Sequence, residues 1–119
     1  MIDVAIVGAG ISGLALGAAL EAEGRQVVVL DARDRPGGRV LSELGYDLGP
    51  AWSWPHNRRM LALTDALGLR RFPQHSFGRM VFEDGAGTSR RDLDMATMGG
   101  ALRIDGGIAG VTDALAAKL

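Results

Sequence analysis

Apolar residues along this chain fall into short runs and into spaced sets, and the two patterns predict different elements. Val4 to Val7 is a four-residue apolar run stopped by Gly8, and a second run sits within "RQVVVLD", Gln26 to Asp31. Short, valine-rich runs bounded by turn residues suit buried parallel strands. Between them, "ISGLALGAALEAEG" has small residues on one side and leucines at 14, 16 and 20. That is a helix, and Gly24 is placed to end it. The first 31 residues therefore predict one complete β-α-β unit.

Further along, "LSELGYDLG" predicts extended chain broken by glycines. "PHNRRMLALTDALGL" predicts a helix with Asn57 as N-cap, Met60, Leu63 and Leu67 on one face, and Gly68 after the last turn. "RMVFEDGAGTSR" predicts a β-hairpin turning at Asp84-Gly85. "MATMGG" is expected to be loop or irregular helix, with Met95 and Met98 suited to packing. A short strand around Leu102 and Ile104 follows, then a helix in "GGIAGVTDALAAKL" with Leu115 and Leu119 four apart. The fold class is α/β, a Rossmann-like β-α-β unit followed by a hairpin and helices. Two parallel strands with one crossover normally have further strands beside them. The expectation is that residues 1–119 form one unit, an incomplete portion of a larger two-domain protein.

Composition narrows the function classes. The 119 residues carry a net charge of −1 and a mean hydropathy of +0.12, with basic residues scattered, so a nucleic-acid surface is not expected. Cysteine is absent, which excludes disulfides, thiolate metal sites and a thioether link through this segment. His56 and His75 have no His, Asp or Glu neighbour at a metal-ligand spacing, so no metal is expected. Lys118 is the only lysine, which leaves none well placed for Schiff-base chemistry. Val4 to Leu20 is uncharged, but "GAGISG" fits strand–turn–helix better than a continuous membrane span. The expected location is the cytoplasm. Glycine is the outlier, at 18 residues gathered into clusters, as at tight turns and close backbone approaches.

The first cluster is Gly8-Ala9-Gly10-Ile11-Ser12-Gly13. Gly8 permits the turn out of the strand, Gly10 lets backbone approach a pyrophosphate, and Gly13 lets helix and strand pack closely. Unpaired N–H groups at the helix start then face the phosphates, and Ser12 can add a donor. Asp31 lies eighteen residues beyond Gly13 at the end of the second strand. A carboxylate there accepts hydrogen bonds from a ribose and repels a 2′-phosphate, so NADP is disfavoured.

The second cluster is less general. "DARDRPGGRV" resembles the stretch after the second strand in the flavin-containing amine oxidase superfamily, which includes monoamine and polyamine oxidases, protoporphyrinogen oxidase and phytoene desaturases. The likeness covers "AIVGAGISGLALGAAL", "VVVLDARDRPGGRV" and "GYDLGPAWSWPHNRRMLALTDALGL", and extends more loosely into "RIDGGIAGVTDALAAKL". It implies FAD, with Asp31 and Ala32 at the adenosine ribose and Arg33 along the adenosine side. Gly37 and Gly38 would form an open turn, and Arg39, beside Val40, would face the pyrophosphate or ribityl chain. Gly49, Pro50, Ala51 and Trp52 would lie beside the flavin ring. Two positions depart from the family pattern: Asp31 stands where Glu is commoner, and Pro50 replaces a second glycine and its donor.

The resemblance further implies an oxidoreductase that removes hydride from a C–N or C–C bond of a small-molecule substrate such as an amine. No catalytic residue is assigned, and the substrate domain is expected outside this chain, in a continuation or a partner chain. Two other readings stand beside it. One is an NAD-binding dehydrogenase fragment, which Asp31 suits equally well. The other is a non-catalytic or split-subunit dinucleotide module.

Overall fold

The computed structural model describes residues 1–94 and 98–119. Strand β1 (Val4–Val7) leads into helix α1 (Ile11–Ala22) and returns as β2 (Val27–Leu30). The two strands pair in parallel, Val4 opposite Val27 through Val7 opposite Leu30, as the apolar runs predict. One difference concerns burial. Within β1 only Ile6 is buried, while Val7 and, in β2, Leu30 are exposed. A parallel strand is ordinarily covered on both faces; here α1 packs against this sheet and helix α3 (Ala109–Ala116) against α1, while Ala5, Val7 and Leu30 are left exposed.

A hairpin, β3 (Ser42–Glu43) with β4 (Tyr46–Asp47), lies inside the stretch expected to be broken extended chain. Its two-residue turn, Leu44-Gly45, has both residues at positive φ (50° and 82°), matching the twist of the flanking strands. Helix α2 (Arg58–Ala66) follows, its Met60, Leu63 and the adjoining Leu67 packed on the core as their spacing requires. Asn57 occupies the cap position without capping by its side chain. Its Oδ1 instead accepts the N–H of Trp54 at 2.7 Å, closing the turn before the helix.

Strand β5 (Arg71–Pro73) pairs antiparallel with β8 (Leu102–Ile104), and between them β6 (Arg79–Glu83) and β7 (Ser89–Asp94) form the expected hairpin. Its turn is longer than an Asp-Gly pair. The Asp84 carboxylate accepts the N–H groups of Ala86 and Thr88, and Gly87 takes the positive φ. Of the "MATMGG" stretch, Met95 to Thr97 lie outside the described residues.

Helix α3 (Ala109–Ala116) completes the core, in which Leu14, Val40, Ile104, Ile108, Val111 and Leu115 meet. The Leu119 side chain lies against Gly17 of α1, where a Cβ would come within 3.1 Å of it. The start of α3 is held from a distance. The Asp47 carboxylate, its side chain 1% exposed, accepts the Ser42 hydroxyl at 2.6 Å, the Ile108 N–H at 2.8 Å and the Arg103 guanidinium at 3.0 Å. Ser42 Oγ in turn accepts the Ala109 N–H. Burial alone would push the Asp47 carboxyl up, but the hydrogen bonds from Ser42, Ile108 and Arg103 outweigh it and hold the group below the usual aspartate range.

Candidate functional site

Where β1 ends, the chain must turn sharply to enter α1, and Gly8 does so at φ 105°. The turn is held from behind by Asp31. One carboxylate oxygen accepts the Ala9 N–H at 2.7 Å and the other the Arg33 N–H at 2.9 Å. The Arg33 and Ala9 N–H groups keep the Asp31 carboxyl below the usual aspartate range, so it is an anion at neutral pH with lone pairs left for further donors. Gly10 ends the turn at φ −72°, and the first helical bond runs from Leu14 N–H to Gly10 O at 3.0 Å. The N–H groups of Ser12 and Gly13 precede that bond and carry no helical partner.

Gly13 permits the tight approach expected of it. A Cβ there would stand 2.0 Å from the Gly8 carbonyl oxygen. Gly10 is different, because a Cβ there would meet nothing within 4 Å. Its missing side chain leaves open space beside the helix start.

The second glycine turn abuts the first. Gly37 N–H donates to Ala9 O at 2.7 Å, Gly10 and Gly37 form an isolated parallel bridge, and a Cβ on Gly38 would lie 3.5 Å from the Gly10 Cα. Gly37 and Gly38 both have positive φ, 100° and 59°. Among the described residues, neither the Gly38 N–H nor the Arg39 N–H has an acceptor. Gly49 supplies a third close approach, with the place of its Cβ 2.1 Å from the Arg39 carbonyl oxygen.

Together these turns enclose a cleft of about 1010 Å³. Of the residues expected to bind a cofactor, Gly8, Gly10, Ile11, Ser12, Gly13, Arg33, Gly37, Gly38, Arg39, Val40, Gly49 and Pro50 line it. Ala9 and Ala51 are buried, and Asp31 borders a neighbouring depression together with Ala9 and Arg33. Ala32 is exposed and lines neither. Trp52 lines an adjoining cavity of about 930 Å³ that shares Ile11, Val40 and Pro50 with the cleft. There its Nε1 donates to Gln74 Oε1 at 3.0 Å. Trp54, stacked on His56, lines the same cavity. Sequence reasoning missed Val7, Arg35, Leu41 and Leu48 on the cleft wall. For Arg35 the signal was its place between two assigned arginines; for the apolar three there was none.

Three guanidinium groups line the cleft, and among the described residues no carboxylate does. Unpartnered N–H groups at a helix start, two touching glycine turns and this positive charge suit an elongated phosphate-linked anion. Fold and site define a dinucleotide-binding β-α-β module. Residues 6–67 match the NAD(P)-binding Rossmann-like domain, and the chain belongs to that family.

Its relatives over this part are flavin-containing amine oxidases. Putrescine oxidase of Kocuria rosea is 42% identical over 84 residues, 67% of this chain and 18% of the relative. Flavin-containing amine oxidase B of Homo sapiens is 40% identical over 84 residues, 66% and 16% of the two proteins. Among solved structures, putrescine oxidase bound to putrescine superposes with a TM-score of 0.71 at 41% identity, over 77% of this chain and 21% of that one. Cyclohexylamine oxidase from Brevibacterium oxydans gives 0.70 at 33% identity, over 76% and 21%. The chain thus spans about a fifth of the length of the relatives it matches. No helix among the described residues is long and apolar enough to cross a membrane.

Proposed function

We propose that this chain is the FAD-binding part of a flavin-dependent amine oxidase acting on a small amine. The observation that carries the proposal is the cleft of two touching glycine turns, lined by Arg33, Arg35 and Arg39. The residues present fit the cofactor. Gly10 leaves room for a pyrophosphate, and among the described residues the Ser12, Gly13, Gly38 and Arg39 N–H groups have no acceptor. Bound FAD would supply a two-electron acceptor for hydride from a C–N bond.

The chain's own residues bind and orient. Gly8 to Gly13 and Gly37 to Val40 hold the pyrophosphate, the exposed Arg39 guanidinium engages its oxygens or the ribityl chain, and the exposed Arg33 lies along the adenosine side. Asp31, with Ala32 beside it, takes the adenosine ribose through the lone pairs its backbone bonds leave free. Gly49 to Trp52 lead from the cleft to the adjoining cavity, where Trp52 and Trp54 offer flat apolar surface to the flavin ring. In this reading residues 1–119 are an N-terminal FAD-binding domain and the substrate-binding part lies elsewhere, which the match to about a fifth of each relative supports. The reading keeps the cytoplasmic location expected from sequence.

NAD is the second reading, favoured by the family match itself. The Gly37-Gly38-Arg39 wall supports FAD over it, as do the flavin-containing relatives. Titration of the purified chain with FAD, NAD and NADP, followed by calorimetry and flavin fluorescence, separates the two. FAD is expected to bind tightest and NADP weakest. Tighter binding of NAD than of FAD would overturn the assignment.

A further inference from the structure

Three arginines line the cleft, and they are not equivalent. Arg33 and Arg39 are exposed, and their guanidiniums have no hydrogen-bond partner among the described residues. Arg35 is half-buried and bonded to its own turn. Nη1 donates to the carbonyls of Pro36 at 3.2 Å and Val40 at 3.4 Å, and Nη2 donates to that of Gly38 at 3.0 Å. One planar fork thus gathers three carbonyl oxygens of a turn built on two glycines.

The peptide bond is planar and none in this chain is cis, so fixing a carbonyl fixes the N–H of the next residue in the opposite direction. The first link bears this out. With the Pro36 carbonyl on Arg35, the Gly37 N–H points away and donates to Ala9 O at 2.7 Å, joining the two glycine turns. The Gly38 carbonyl is held by the same guanidinium, so the Arg39 N–H points away from Arg35, and it has no acceptor among the described residues. Gly38 has no side chain to restrain that peptide unit; Arg35 does so instead.

We infer that Arg35 is a positioning residue of the anion cradle: it turns the carbonyls of the second glycine turn onto itself and thereby aims the Arg39 N–H at the phosphate-linked ligand. The inference rests on the dinucleotide-binding reading and adds a division of labour. Arg33 and Arg39 supply guanidiniums to the ligand, while Arg35 acts through the backbone. Its charge also screens three carbonyl dipoles that would otherwise present negative ends near an anion.

Lysine separates positioning from charge, because an ammonium keeps the charge without the planar fork that spans several carbonyls. The test compares the whole chain with its Arg35→Lys and Arg35→Met variants, first free and then titrated with FAD. In the free chain, both variants are expected to shift the Gly38 carbonyl ¹³C and Arg39 amide ¹⁵N resonances while the helical circular dichroism stays at the wild-type level. FAD should then bind about tenfold more weakly to both, the equivalent of one charge-assisted hydrogen bond. Wild-type affinity in Arg35→Lys, with the two resonances unmoved, overturns the inference and leaves Arg35 as a charge. Should Arg35→Met fail to fold, Arg35→Lys decides alone. Should wild-type chain not bind FAD, the cofactor reading fails, and unmoved resonances in free Arg35→Lys still refute the positioning role.

Discussion

Gly10 and Gly13 sit three residues apart in one motif, yet an added methyl group should do opposite things at the two positions. At Gly13 a Cβ would stand 2.0 Å from Gly8 O, 3.2 Å from Gly8 C and 3.3 Å from Ile6 Cγ2. The obstacle is backbone at the end of β1, so relief means moving strand against helix by about 1 Å, and such overpacking costs about 1–3 kcal/mol. Because the obstacle is backbone only 2.0 Å away, the cost falls in the upper part of that range, about 2–3 kcal/mol; alanine's better helix propensity returns about 1 kcal/mol, leaving Gly13→Ala destabilised by about 1–2 kcal/mol. For a chain of this size that lowers the melting temperature by about 4–8 °C. At Gly10 the backbone is ordinary, φ −72°, and a Cβ meets nothing within 4 Å. Gly10→Ala should keep or slightly raise stability, by less than about 1 kcal/mol through the unfolded state. It should nevertheless weaken FAD binding at least about tenfold, because the methyl group fills the space meant for phosphate. Thermal unfolding by circular dichroism and FAD titration on both variants read the two effects separately. A Gly13→Ala chain melting with wild type would refute the close strand–helix approach, and a Gly10→Ala chain binding FAD normally would refute the phosphate position.

Two further substitutions test the carboxylates. Asp47→Asn removes the charge facing Arg103 and weakens three hydrogen bonds in a buried setting, so a loss of about 2–4 kcal/mol is expected in urea unfolding. Because the folded carboxyl titrates below its ordinary value of 3.8, its stabilisation is fully present above that pH and disappears as pH falls through the lower folded value. Asp47→Asn should flatten that acid limb of the stability profile, and an unchanged limb would exclude Asp47 as its source. Asp31→Asn keeps one acceptor and loses the charge. FAD should bind about tenfold more weakly, and the preference for NAD over NADP should narrow in competition titrations; a preference left intact would mean that Asp31 does not face the ribose.

The β-α-β unit was legible because its signals are local: two apolar runs, a glycine turn and one spaced helix within 31 residues. The β3–β4 hairpin was hidden by Leu44, a non-glycine residue at positive φ in a turn that Asn-Gly would have announced. The pairing of β5 with β8 joins three-residue segments some thirty positions apart, one of them ending in Pro73, and nothing periodic marks it. At the site, the family resemblance pointed to Arg33 and Arg39, and both line the cleft wall. It could not tell a guanidinium that faces outward from one, Arg35, that folds back on its own turn. Asp47 illustrates the same limit. Its neighbours Gly49 and Pro50 line the cleft, but the carboxylate itself turns inward to hold the start of α3, a partner some sixty residues away.

The make-up of the cleft's charge has an experimental consequence. The charged side chains of the cleft wall are arginines, and among the described residues it holds no histidine, lysine or carboxylate. Ionic strength weakens such a hold on an anion, since exposed charges are screened over about 10 Å at 0.1 M salt. For a dinucleotide bound here, added salt is the lever that strips the cleft without unfolding it.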